Sequence, residues 1–125
     1  MGPQLVMIVE DDPVARELLR TFLQGAGYAV ACAGNGREAL DQLRRGGRPA
    51  VILLDLKMPV MSGWQFREEQ RRDPALAKIP VVVFSGGDEL DSAAASLGAA
   101  AHFPKPIDPE ELVATVRRLV SAEAP

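Results

Sequence analysis

The chain alternates short unbroken apolar runs with longer segments in which apolar residues recur every three or four positions. Leu5-Val6-Met7-Ile8-Val9, Val51-Ile52-Leu53-Leu54 and Ile79-Pro80-Val81-Val82-Val83-Phe84 are the continuous runs. Such runs, closed by turn residues, predict strands buried on both faces. Tyr28-Ala29-Val30-Ala31-Cys32 is less hydrophobic and predicts an edge strand. Ala99-Ala100-Ala101-His102-Phe103 predicts a short strand of small residues, interrupted by Pro104-Lys105-Pro106.

Helices fill the intervals. Asp12 is placed as an N-cap with Pro13 at the first helical position, and Val14, Leu18, Leu19, Phe22 and Leu23 form the buried face before Gly25 and Gly27. Asn35 with Glu38 resembles a capping box; Ala39, Leu40 and Leu43 follow, and Gly46-Gly47 stops that helix. Ser62-Gly63-Trp64-Gln65 opens a helix from 63 to about 72. Arg67, Glu68, Glu69, Gln70, Arg71 and Arg72 make it so polar that it is expected on the surface, burying little. Asp73-Pro74 breaks it. Leu90, Ala94 and Leu97 mark a fourth helix, closed by Gly98. Asp108-Pro109-Glu110-Glu111 opens the last, with Leu112, Val113, Val116, Leu119 and Val120 as its apolar stripe.

Strand and helix thus alternate five times, the pattern of a parallel sheet covered on both faces. Right-handed crossovers bring all the strand C-termini to one edge. Glu10, Asp11, Asp55, Ser85 and Lys105 each follow a strand and share that edge. A buried strand does not need a carboxylate at its tip, and the tips of central strands are where ligands bind in open α/β sheets. Asp55 is therefore the expected reactive centre.

Composition narrows the possibilities. At 125 residues, 47% hydrophobic and 25% charged, the chain fits one globular domain, expected to span 1–125 with a core at about 4–121. A net charge of −3 and a pI near 5.1 argue against direct nucleic-acid binding. No apolar run approaches the roughly 18 residues of a membrane span, and Met1-Gly2-Pro3-Gln4 lacks the basic flank of a signal peptide. Cys32 has no partner for a disulfide or a zinc site and is expected to be a small buried hydrophobe. A cytoplasmic setting follows.

Three acids, a hydroxyl and a lysine at one edge suggest phosphoryl chemistry. Glu10, Asp11 and Asp55 cannot all stay ionised side by side without a counter-charge. A hard divalent cation such as Mg2+ removes the conflict, taking one or two carboxylates and phosphate oxygens. Asp55 can then attack phosphorus to form an acyl phosphate. Lys105 can pair with the phosphoryl oxygens, and the Ser85 hydroxyl can donate to one of them. Singly each residue is commonplace: Asp12 reads as a cap, Ser85 as a turn serine, Lys105 as a loop lysine. Only the joint pattern carries the reading.

Val9-Glu10-Asp11-Asp12, Leu53-Leu54-Asp55-Leu56-Lys57-Met58-Pro59 with Gly63, Val83-Phe84-Ser85-Gly86 and Phe103-Pro104-Lys105-Pro106-Ile107 resemble the receiver domain of bacterial two-component response regulators, in particular single-domain chemotaxis regulators. The likeness runs from Val6 to about Val120. It implies a flavodoxin-like (βα)5 three-layer sandwich with a five-stranded parallel sheet in the order 2-1-3-4-5. It also implies roles. Asp55 is the phospho-acceptor and a Mg2+ ligand, Asp11 a direct Mg2+ ligand, and Glu10 the holder of metal-bound water. The Lys57 backbone carbonyl is the third protein contact to the metal. Ser85 is the switch hydroxyl and Lys105 the phosphate-binding lysine, with a cis Lys105-Pro106 bond. His102 stands where the family usually has Tyr or Phe, the aromatic that rotates inward on activation; histidine is flat enough to rotate but polar and titratable. Glu10 replaces the commoner Asp.

The resemblance further implies a histidine kinase or phosphotransfer protein as donor. On phosphorylation the 85–89 turn and His102 would follow Ser85, changing the surface of the fourth helix, fifth strand and fifth helix. That surface would bind a downstream protein target, or act on an output domain absent from this chain. The molecule is expected to be a monomer or weak dimer, and a phospho-acceptor rather than a turnover enzyme. The alternative is a receiver-like interaction module working without phosphorylation, which loss of Asp55, an acid partner or Lys105 would indicate; all are present. An aspartyl-phosphate phosphatase would carry a second acid where Lys57 stands. A flavin or nucleotide site after the first strand would be repelled by Glu10-Asp11-Asp12.

Overall fold

The computed structural model describes residues 2–88 and 90–123. Residue 89, the end of the turn expected at 85–89, and residues 1, 124 and 125 lie outside the described residues. The elements alternate as expected: β1 (Leu5–Val9), α1 (Pro13–Gly25), β2 (Ala29–Ala33), α2 (Gly36–Arg44), β3 (Val51–Asp55), α3 (Gly63–Arg72), β4 (Val81–Ser85), α4 (Leu90–Leu97), β5 (Ala101–Pro104) and α5 (Pro109–Glu123). The strands form one parallel sheet in the order β2-β1-β3-β4-β5. Asp55 therefore ends the central strand.

Successive side chains along a strand point to opposite faces, and the sheet sorts them into two cores. Met7, Val9, Ile52, Leu54, Val81 and Val83 pack beneath α2, α3 and α4. Val6, Ile8, Val51, Leu53, Val82 and Phe84 pack beneath α1 and α5. Full burial of each such side chain contributes roughly 1.5–3 kcal/mol. Every residue of β3 and β4 is buried, as continuous apolar runs require. The less apolar β2 is indeed an edge strand.

The caps form largely as read. Asp12 accepts from Val14 N with Pro13 opening α1, and Ser62 and Gln65 complete a capping box on α3. Asn35 Oδ1 accepts from Glu38 N, but Glu38 reaches back one residue further than expected, to Gly34 N. Asp108 Oδ1 accepts from Glu110 N at the start of α5.

Three expectations need correction. In α1 only Leu19 and Leu23 are buried; Val14 is exposed, and Leu18 and Phe22 remain 56% and 45% exposed. The apolar stripe is wider than the sheet it covers, and its surplus lines a groove beside α5. The polar α3 does bury a face: Gly63, Phe66, Arg67 and Gln70. Arg67 and Gln70 enter because hydrogen bonds satisfy them. Arg67 Nε donates to Leu97 O at 2.9 Å and Nη1 to Gln70 Oε1 at 2.8 Å, while Gln70 Nε2 donates to Leu76 O and Ile79 O. Cys32 is half-buried at the margin of the α1/α5 core rather than fully enclosed, because β2 is the sheet edge.

Candidate functional site

The site is assembled at the C-terminal ends of β1, β3, β4 and β5. Glu10 N donates to Ala33 O at 3.1 Å, carrying the strand pairing one residue past β1. Glu10, Asp55 and Ser85 are buried, and Asp11 beside them is exposed. Glu10, Asp11 and Asp55 each offer a carboxylate oxygen within 4.8 Å of the others.

Lys105 reaches this cluster from the β5–α5 connection. Its backbone N donates to Ser85 O at 3.0 Å, and the Lys105-Pro106 bond is cis, as the resemblance implied. Lys105 Nζ lies 3.1 Å from Asp55 Oδ2 and 3.2 Å from Glu10 Oε1, and 5.5 Å from the centroid of the Phe84 ring. One ammonium thus faces two buried carboxylates. Desolvation on its own would lower the Lys105 amine; the bonds and charges of Asp55 and Glu10 outweigh it and hold the amine above its ordinary value.

Glu10 is pushed up to about 8, first by burial, then by the hydrogen bond to and the charge of Asp55, with Lys105 opposing. Its Oε1, near Lys105 but outside hydrogen-bond geometry, is a buried oxygen with no hydrogen-bond partner among the described residues. A buried acceptor left without a donor is costly. An all-oxygen acidic cradle with such an atom fits a hard divalent cation rather than zinc, whose usual nitrogen and sulfur ligands are missing from the cluster.

The β3–α3 loop closes one side. Lys57 N donates to Asp55 Oδ1 at 3.3 Å. Gly63 N donates to Leu56 O at 2.9 Å, and a Cβ at Gly63 would stand 2.6 Å from Asp55 O and 2.8 Å from Leu56 Cα. Only glycine lets α3 start this close to the end of β3. Across the site, Ser85 Oγ accepts from Gly87 N at 3.3 Å.

His102 is not part of the cluster. It sits on β5 with its side chain turned outward, and Nε2 lies 3.0 Å from Asp91 Oδ1 on α4. Next to the cluster a groove of about 440 Å3 opens between α1 and the β5–α5 connection, with Leu18, Phe22, Phe84, Pro106 and Ile107 in its walls and Lys105 at its end. Sequence reasoning missed this groove, although the excess apolar width of α1 signalled it.

The response regulator receiver domain model matches residues 6–117, and the chain belongs to that family. It is 34% identical to the response regulator Rre1 of Synechocystis over 97% of this chain and 53% of that protein. It is 36% identical to the response regulator MprA of Mycolicibacterium vanbaalenii over 98% of this chain and 53% of that protein. The chain therefore spans about half the length of these curated relatives. Among solved structures it resembles the signal receiver domain of a signal transduction histidine kinase from Syntrophus aciditrophicus, with TM-score 0.86, 32% identity and coverage of 96% and 92%. It also resembles the chemotaxis protein CheY4 of Vibrio cholerae, with TM-score 0.85, 32% identity and coverage of 94% and 99%. Receiver domains are signalling domains. No helix among the described residues is long and apolar enough to cross a membrane.

Proposed function

We propose that this chain is a phospho-accepting receiver domain, with its functional core at about 4–121, that takes a phosphoryl group on Asp55 from a histidine kinase or phosphotransfer protein. The observation that supports this best is the single lysine, Lys105, placed within 3.2 Å of both Asp55 and Glu10. Mg2+ would be held by Asp11, Asp55 and the Lys57 carbonyl, with Glu10 on a bound water; when bound it supplies neutralisation of phosphoryl charge.

The residues then act as follows. An Asp55 carboxylate oxygen attacks phosphorus in the donor phosphohistidine. The P–N bond breaks, the departing imidazole keeps the electron pair and takes a proton from solvent, and Asp55 becomes an acyl phosphate. Lys105 exchanges its contact with Asp55 Oδ2 for a phosphoryl oxygen. Ser85 turns its hydroxyl from Gly87 N toward another. The groove beside Lys105 is where an apolar donor surface would rest while its phosphohistidine reaches Asp55. Displacement of the 85–88 turn and of His102 would then alter the face of α4, β5 and α5 toward a downstream protein or an output domain. The chain assists its own phosphorylation and dephosphorylation without being a turnover enzyme, and works in the cytoplasm.

Intact mass after incubation with acetyl phosphate, with and without Mg2+, tests this on the wild type and Asp55→Asn. A Mg2+-dependent gain of one phosphoryl group, absent in the variant, is the expected result. No gain from either acetyl phosphate or a panel of phosphorylated kinases would instead favour an interaction module that works unphosphorylated.

A further inference from the structure

A second charged cleft lies away from the phosphorylation site, between α3 and the C-terminal end of α4. It is an open cleft of about 430 Å3, lined by Trp64, Arg67, Arg71, Arg72, Ser96 and Leu97 together with one acid, Glu68. Trp64, Arg67 and Arg71 are three and four residues apart, so they stack along one face of α3.

The charges of this cleft do not balance. Arg72 is neutralised by Glu68 at 2.6 Å and Glu69 at 3.6 Å. Arg67 and Arg71 have no carboxylate partner among the described residues. Arg67 is only 7% exposed, and its donors go to neutral oxygens: Leu97 O, Gln70 Oε1 and, at 3.4 Å, Gly98 O. Burial and the adjacent Arg71 both disfavour its charge. Arg71 makes a single marginal contact, Nη1 to Ser96 O at 3.5 Å. The two guanidinium groups converge at Gly98: a Cβ built there would lie 2.5 Å from Arg71 Nη2 and 3.9 Å from Arg67 Nη2.

Both arginines help to cap α4, whose last carbonyls carry partial negative charge. That accounts for Arg67, whose donors are engaged, but not for Arg71, which brings a second cation to a largely satisfied helix end. The exposed Arg71 guanidinium is left to receive a phosphate or carboxylate, and the buried charge of Arg67 beside it, short of a counter-charge, adds to the attraction. Trp64, half-buried at the other end of the same helix face, offers an indole surface for a flat ring. Two helical turns separate Trp64 from Arg71, about 10 Å along the axis, a span that an extended nucleotide bridges from base to phosphate. The Ser96 hydroxyl is a further donor at the phosphate end.

We propose that the α3–α4 cleft binds a nucleotide, with its phosphate on Arg71 beside Arg67 and its base against Trp64. The site shares no residue with the acidic cluster.

Trp64 is the only tryptophan in the chain, so its indole N–H gives one resolved proton–nitrogen NMR signal. The experiment titrates guanosine monophosphate, guanosine and inorganic phosphate separately into the full chain at low salt, and into Arg71→Gln. Arg71 is exposed, and far-ultraviolet circular dichroism checks that the variant folds. The expected result is a saturable shift of the Trp64 signal with the nucleotide, half-complete near or below about 1 mM. Guanosine and phosphate should each bind at least tenfold more weakly, and Arg71→Gln should weaken the nucleotide at least tenfold. Absence of a saturable shift overturns the proposal. So does equal affinity for phosphate alone, or nucleotide binding that Arg71→Gln leaves unchanged.

Discussion

Lys105 and Asp55, fifty residues apart in sequence, are joined by a 3.1 Å contact between Nζ and Oδ2 across the tips of β5 and β3. The contact places a fixed positive charge where negative charge gathers in phosphoryl transfer. Lys105→Met should slow phosphorylation of Asp55 by small donors about a hundredfold, the scale of losing one preorganised charge-stabilising donor. The Lys105 value is raised on folding, so its contribution to stability is complete below the ordinary lysine value and fades only as pH climbs through the higher folded one. The rate defect should therefore persist unchanged from pH 6 to 9. Time-resolved intact mass would detect it, and wild-type rates in the variant would remove Lys105 from the mechanism.

Glu10 has a linkage of the same sign, displaced to lower pH. Its folded value is raised from 4.5 to about 8, so between those values the folded chain holds a proton that the unfolded chain releases. Stability of the metal-free protein should fall as pH rises from about 5 to 8 and then level off. A cation held beside Glu10 favours its ionised form, so apparent Mg2+ affinity should climb over that interval. Thermal melts in chelator and in excess Mg2+ across this range check both. A metal-free melting temperature that rises from pH 5 to 8 would contradict the burial argument.

The strand order came from the family resemblance, but the strands and the four strand-end clusters were legible because each rests on a local rule: unbroken apolar runs, caps, and right-handed crossovers that leave the strand ends on one edge. Glu10, Asp55 and Lys105 could be grouped for that reason, with the resemblance supplying their roles. The buried face of α3 was not legible. Pattern reading counts Arg67 and Gln70 as solvent-facing, whereas their partners are carbonyls up to 31 residues away that only the fold brings close. The face that Phe66 shares with positions 63, 67 and 70 was the available signal. In α1 the opposite error arose, since Leu18 and Phe22 satisfy a helical stripe but outreach the sheet beneath it.

Gln70 ties α3 to the connection ahead of β4, donating to Leu76 O at 2.9 Å and Ile79 O at 3.1 Å while accepting from Arg67. Gln70→Leu keeps the volume but strands the Ile79 carbonyl and a guanidinium donor of Arg67 in the interior, while Leu76 O keeps its bond from Ile79 N at 3.1 Å. Each buried group left without a partner costs about 1–3 kcal/mol, so denaturant unfolding should show a loss of about 3 kcal/mol. A loss under about 1 kcal/mol would mean that water or a local shift replaces the network.

Val60 adopts φ 68° in the loop between β3 and α3, and Met61 N donates to Pro59 O at 2.7 Å across it. This is a three-residue γ-turn of the positive-φ kind, which is strained for a β-branched side chain. Val60 is 77% exposed, so no packing offsets the strain. Val60→Gly should raise stability by about 1 kcal/mol, less a fraction for glycine's greater unfolded freedom. An unfolding midpoint at or below that of the wild type would show that the turn is not a strained element.

His102 and Asp91 link β5 to α4 on the outer surface at 3.0 Å. Both side chains are solvent-exposed, so the pair adds little to stability, and Asp91→Asn should change it by less than about 1 kcal/mol. Its interest lies in direction. Asp91 holds His102 outward, whereas the activated state proposed here requires the ring to leave α4 and follow Ser85. Breaking a weak contact costs little, so a modest bias at Asp55 suffices to shift the population. Nitrogen NMR of the His102 ring, before and after saturation with beryllofluoride and Mg2+, follows the ring itself. Its signals should move in the wild type, and in Asp91→Asn they should lie nearer the activated position before any beryllofluoride is added. Ring signals that stay fixed at saturation, while the signals around Asp55 shift, would place the switch elsewhere on the α4–β5 face.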